Sequence, residues 1–114
     1  MKTFRQYLEE ARVSEIIHHN PSSATLKAIA RNNKYGSARF VIYKDGTTVA
    51  GDSEKFTHQD IAPSMGAWKI RGYVTHHNGN YFYRSMGPYD NKPVDHENFR
   101  RFEKHGIDNG NENN

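Results

Sequence analysis

Cysteine is absent from all 114 residues, which excludes a disulfide framework, a thiolate zinc site and cysteine catalysis together. No apolar run approaches the ~20 residues a membrane helix needs. The opening Met1-Lys2-Thr3-Phe4-Arg5-Gln6 lacks the unbroken apolar stretch of a secretory signal. Apolar side chains make up only 34% of the sequence and mean hydropathy is -0.99, so the material for a core has to be concentrated. These absences lead to the expectation of one small domain, soluble in a reducing compartment, with no membrane association and no cofactor.

Charge is present in near balance, 16 basic against 13 acidic residues, but its placement is uneven. Residues 1–36 hold Lys2, Arg5, Arg12, Lys27, Arg31 and Lys34 against Glu9, Glu10 and Glu15, a net +3. Residues 37–114 hold ten of each sign and sum to zero. The whole positive excess therefore belongs to the first third, a modest attraction for polyanions.

Periodicity divides the chain at the same place. Phe4, Tyr7, Leu8 and Ala11 fall at i, i+3, i+4 and i+7 behind a Thr3…Gln6 capping box, the spacing of an amphipathic helix. That helix is expected to run through Val13, Ile16 and Ile17 until Asn20-Pro21 stops it. Ser22-Ser23 offers a second cap for a short helix over Leu26, Ala28, Ile29 and Ala30, ended by Asn32-Asn33 and Gly36. From Ser37 the texture is β. Arg39–Tyr43 and Thr47–Ala50 flank Asp45-Gly46, with Gly51-Asp52-Ser53 as a break, and two further strands, Trp68–Thr75 and Asn80–Met86, flank Asn78-Gly79. Thr57–Ala62 predicts a capped helical turn. Val94, Phe99, Phe102 and Ile107 suit a closing helix of three turns. The expected fold class is α+β: a leader helix, a short second helix, then a small antiparallel sheet of two hairpins with a C-terminal helix. The expected divisions are a leader over 1–10, a basic helical linker over 11–36, a domain over 37–107 and a disordered tail over 108–114.

Motifs of catalysis are lacking. There is no HExxH, no GxSxG elbow and no phosphate-binding glycine loop. A His58, Asp60 and His76 constellation is the one hydrolase or nuclease arrangement that hairpin adjacency suggests, and the favoured expectation is a protein that is not an enzyme and holds no metal. The aromatic ladder Tyr73, Tyr81, Phe82 and Tyr83, interleaved with Arg71 and Arg84, is the candidate nucleic-acid or partner surface. Rings stack bases while guanidinium groups meet phosphates. Against it stands the zero net charge of residues 37–114, which offers little counterion release.

The first thirteen residues, Met1-Lys2-Thr3-Phe4-Arg5-Gln6-Tyr7-Leu8-Glu9-Glu10-Ala11-Arg12-Val13, resemble the capsid-targeting leader of the internal head proteins of T-even-type bacteriophages. That leader begins Met-Lys-Thr, carries two aromatics three apart and ends at a Leu/Ile-x-Glu cleavage pattern followed by a small residue. Leu8-Glu9-Glu10/Ala11 fits the pattern, and no other glutamate here has Leu or Ile two positions before it. The resemblance covers about a tenth of the chain. It implies docking of Phe4, Tyr7 and Leu8 on the prohead scaffold, and cleavage after Glu10 by the prohead protease. It further implies packaging inside the capsid with DNA, held weakly and without sequence preference. Release into the host cytoplasm would follow, with inhibition of a host defence enzyme (an anti-restriction role) as one outcome. Removing residues 1–10 takes away two basic and two acidic groups, so the trimmed chain keeps +3.

Overall fold

In the computed structural model, which describes residues 12–94 and 99–110, alternating strands place apolar side chains on both faces of one sheet. The strands are β1 (His18–His19), β2 (Ser37–Tyr43), β3 (Thr48–Asp52), β4 (Trp68–His77), β5 (Asn80–Met86) and β6 (Ile107–Asn109). Their spatial order is β1-β3-β2-β4-β5-β6. All neighbours are antiparallel except β5 and β6, which run parallel. The helices are α1 (Ser23–Arg31), α2 (His58–Ile61) and α3 (Arg100–Lys104), with a 3-10 turn at Met65–Ala67. The class is α+β; the sheet has six strands, not four, and is mixed.

Local chemistry accounts for the turns. Asp45 Oδ1 accepts from the Thr47 amide at 2.9 Å and Gly46 takes φ +93°, closing the β2–β3 loop. Asn78 and Gly79, at φ +51° and +81°, turn β4 into β5, the two positive angles that this tight turn requires. Ser22 caps α1 by accepting from the Thr25 amide, and Thr57 with Asp60 makes a reciprocal capping box at α2.

The two faces carry separate cores. On one, α1 and α3 cover Ala38, Phe40, Ile42, Ala50, Ile70, Val74 and Tyr83 with Leu26, Ile29, Ala30, Phe99 and Phe102. Tyr83 stacks on Phe99 at 4.6 Å between centroids, and Phe40 meets Phe99 edge-on at 5.6 Å. Full burial of each such side chain contributes roughly 1.5–3 kcal/mol. On the other face, α2 and the 3-10 turn cover Val41, Val49, Ile61, Ala62 and Trp68. A bulge assigns Trp68 to this side: Ile42 pairs with Ile70 but Tyr43 with Trp68, so Lys69 is the extra residue. Beyond the bulge, Ile70, Gly72 and Val74 face α1 while Arg71 and Tyr73 face the opposite side.

Several expectations are corrected. The helix through Val13, Ile16 and Ile17 ends after Val13: Ile16 is exposed, Ile17 packs on the α2-side core, and His18–His19 pair with Val49–Ala50 of β3. Extended pairing there gives the β3 backbone its outer partner. Residues 12–36 are not a linker, because Val13, Leu26, Ile29 and Ala30 belong to the same core as the sheet. Gly51-Asp52 continues β3 rather than breaking it. A Cβ at Gly51 would stand 2.9 Å from Ile61 and from Phe56, so the bare backbone is what lets α2 close down. The closing helix is shorter than three turns, and Ile107 leaves it for β6, where Asp108 and Asn109 pair with Phe82 and Tyr83. The tail therefore does not begin at 108. The expected leader residues Phe4, Tyr7, Leu8, Glu10 and Ala11 lie outside the described residues.

Candidate functional site

Helix coverage of the α2-side face is incomplete. α2 lies over β2 and β3, α1 and α3 lie on the opposite face, and no helix among the described residues covers the β4–β5 half beneath α2's edge. Alternation brings Arg71, Tyr73 and Thr75 of β4 to that half, beside Phe82, Arg84 and Met86 of β5. Cross-strand register orders them in rows. Arg39, Tyr73 and Arg84 lie side by side across three strands, with Val41, Arg71 and Met86 on one side and Ser37, Thr75, Phe82 and Asp108 on the other.

Two of the three arginines are fixed by neutral acceptors. Arg39 donates to the backbone carbonyls of Ser53 at 2.6 Å and Phe56 at 2.5 Å, and its guanidinium lies 5.6 Å from the centre of the Tyr73 ring. Arg71 donates to the carbonyls of Gly87 and Asp90 and to Asn91 Oδ1, at 3.2, 3.1 and 2.9 Å. The Arg84 side chain is exposed and, among the described residues, makes no hydrogen bond or ion pair. None of the three guanidinium groups is matched by a carboxylate partner within ion-pairing distance among the described residues. Acidic residues near them are Asp90, whose backbone carbonyl Arg71 bonds, Asp60, whose carboxyl is lowered mainly by the capping bonds at Thr57 and slightly by Arg39, and Asp108 at the end of the Phe82 row.

His58 packs onto this half-face from α2, on the same side of the sheet. Its Nε2 donates to the Gly72 carbonyl at 2.9 Å, and its ring meets Tyr73 edge-on at 4.9 Å and Trp68 at 6.3 Å. A carbonyl only accepts, so Nε2 carries the proton. Burial pushes the imidazole pKa below its ordinary 6.5; the Gly72 bond opposes this, and Arg39 and Arg71 add to it.

The sequence-expected ladder is split by the sheet. Arg71, Tyr73 and Arg84 come together on the uncovered face. Tyr83 is fully buried on the other, donating to Glu103 Oε1 at 3.0 Å, and Tyr81 also lies on that other side. There Tyr81 takes the Arg31 guanidinium on its hydroxyl at 3.4 Å, Lys27 at 5.2 Å from its ring centre and His76 at 4.7 Å. Successive strand residues point to opposite faces, so Tyr81 and Tyr83 leave the site and Phe82 stays. Arg39 is the member that sequence reasoning missed. Its signal was the alternation with buried Phe40 in the partner strand, legible only once β2 is known to pair with β4.

The hydrolase constellation is not assembled. His58 lies on the α2 side, His76 lies on the α1 side against Tyr81, and Asp60 is engaged in the α2 capping box. Among the described residues no three His, Asp or Glu side chains come together as a metal site. An open depression of about 440 Å3 at Tyr43, Lys44, Asp45, Ser64 and Ala67 gathers no convergent polar set, and Asp45 there is held by the Thr47 amide. No helix among the described residues is long and apolar enough to cross a membrane. Compared with protein-family models, with curated proteins and with solved structures, the chain matches none.

Proposed function

We propose that this chain is an internal head protein of the T-even-type bacteriophage kind. Residues 1–10 carry it to the prohead scaffold through Phe4, Tyr7 and Leu8, and the prohead protease cuts between Glu10 and Ala11. The remainder is packaged with DNA and enters the host with the genome, there to meet a host defence protein. The trimmed body acts by binding rather than by catalysis, and the uncovered β4–β5 face is its working surface.

The observation that supports this reading is the order of parts along the chain. Leu8-Glu9-Glu10/Ala11 precedes every strand of the sheet, the first of which begins at His18. A cut there removes none of the strands found among the described residues. A detachable address needs this separation between the segment that is read and the body that is kept.

Mass measurement of the protein from infected cells and from purified particles tests it. The expected result is a full-length chain in cells and an N-terminus at Ala11 in particles. Leu8→Ala and Glu10→Ala should each leave the chain untrimmed, while Arg84→Ala should be trimmed normally. An intact Met1 in particles, or particles without the protein, would overturn the proposal.

A further inference from the structure

We infer that the helix-free, half-exposed β4–β5 face is a platform for single-stranded nucleic acid, with bases on Tyr73 and Phe82 and phosphates along Arg39, Arg84 and Arg71. This deepens the binding reading above and rests on it, assigning this face to nucleic acid and not to the host protein.

Three features carry the inference. First, the two rings are diagonal neighbours, because Tyr73 pairs with Arg84 and Phe82 with Thr75. Diagonal neighbours on adjacent antiparallel strands stand about 7–8 Å apart, close enough for successive unstacked bases of one strand to use both. Four-stranded sheets that read single strands place aromatics in this way. Second, Tyr73 lies between Arg39 and Arg84 in one row; with Arg39 over its ring and His58 at its edge, a base would stack from the Arg84 side, beside that exposed guanidinium. Third, the charges there are not neutralised. Arg39 and Arg71 are oriented by carbonyl and amide oxygens, and Arg84 is exposed. Those oxygens hold the Arg39 and Arg71 guanidinium groups in place by some of their donors, and the remaining N–H groups, with no carboxylate partner, suit phosphate oxygens.

The zero net charge of residues 37–114 is compatible with this, because a sum over the chain hides a local excess. Asp108 closes the Phe82 row, Asp60 stands near Arg39 and Asp90 near Arg71, so the backbone path centres on Arg84. A duplex is the poorer ligand: its bases are already stacked and cannot meet a flat sheet ring to face.

Fluorescence anisotropy with the full chain, using labelled oligo(dT) and a duplex of equal length over a range of salt, tests the inference. Oligo(dT) should bind more tightly than the duplex. Tyr73→Leu and Phe82→Leu should each weaken binding about tenfold at fixed salt, the loss expected for one stacked base. They should leave the salt slope unchanged. Arg84→Ala should weaken binding and lower that slope by about 0.7, one phosphate contact on a single strand. Lys27→Gln, on the opposite face, should change neither. Circular dichroism of each variant checks that it is folded; Arg84 and Lys27 are not core residues, so their pair alone is decisive if a ring variant fails to fold. Absence of binding at low salt, preference for the duplex, or equal losses in Lys27→Gln and Arg84→Ala would overturn it. Failure here with a trimmed N-terminus in particles would remove the nucleic-acid platform alone. An untrimmed chain that binds oligo(dT) would remove only the head-protein reading.

Discussion

Gly72 stands opposite Phe40 in the β2–β4 ladder, and the Phe40 ring lies over the place where a side chain would be. A Cβ there would fall 2.3 Å from the Arg84 carbonyl and 2.5 Å from Phe40 Cζ. The first contact is with backbone of the neighbouring strand, which cannot rotate away. Gly72→Ala should therefore cost about 2–3 kcal/mol, read as a lower urea midpoint at unchanged m. His58 is the other residue whose surroundings fix its behaviour. Its folded-state pKa lies below the ordinary 6.5, so the unfolded chain takes up a proton first as pH falls. Stability from this site is complete above about 6.5 and declines below it, until the folded pKa is passed. The melting temperature should drop between pH 7 and 5. His58→Gln, which keeps an amide donor for the Gly72 carbonyl, should flatten that portion of the profile. Neither residue is readable from composition: the glycine looks like a strand weakness and the histidine like a surface group until the register and α2 are known.

At the scale of elements, signals that act over a few residues were legible and signals that act between strands were not. Ser22, the Thr57…Asp60 box, Asp45-Gly46 and Asn78-Gly79 all work through neighbouring backbone amides or through the left-handed region, and their residue types alone announce them. His18–His19 carries no strand pattern of its own; β3 makes it a strand by supplying a ladder. Ile107 lies at helical spacing from Phe99 and Phe102, yet Gly106 at φ +87° ends the helix and turns Ile107 into β6. There it is fully buried with Tyr83. Ile107→Ala should cost about 3 kcal/mol, measurable by urea unfolding; a surface tail would give almost nothing. The candidate site was half legible for the same reason. Alternation predicts that Tyr81 and Tyr83 share a face and that Phe82 does not. Which face stays open depends on where α1, α2 and α3 settle, and that is a tertiary outcome.

At the scale of the molecule, the paths between parallel strands explain how one short sheet bears helices on both sides. The chain goes from β1 to β2 through α1, from β3 to β4 through α2, and from β5 to β6 through α3. In the first two cases it passes over an intervening strand. Each such passage deposits a helix on one face, and the residues between β4 and β5, a two-residue hairpin turn, deposit none. That leaves the β4–β5 half of the α2 side without a helix of its own, met at its edges by His58 and Arg39 on Tyr73, by the 87–91 loop on Arg71 and by Gly110 beside Phe82 and Arg84. The outermost strands are the shortest, two residues in β1 and three in β6. A row of unpaired amides that short gives a second copy almost nothing to template on. Edges this short limit the length of ladder along which a second copy could extend the sheet.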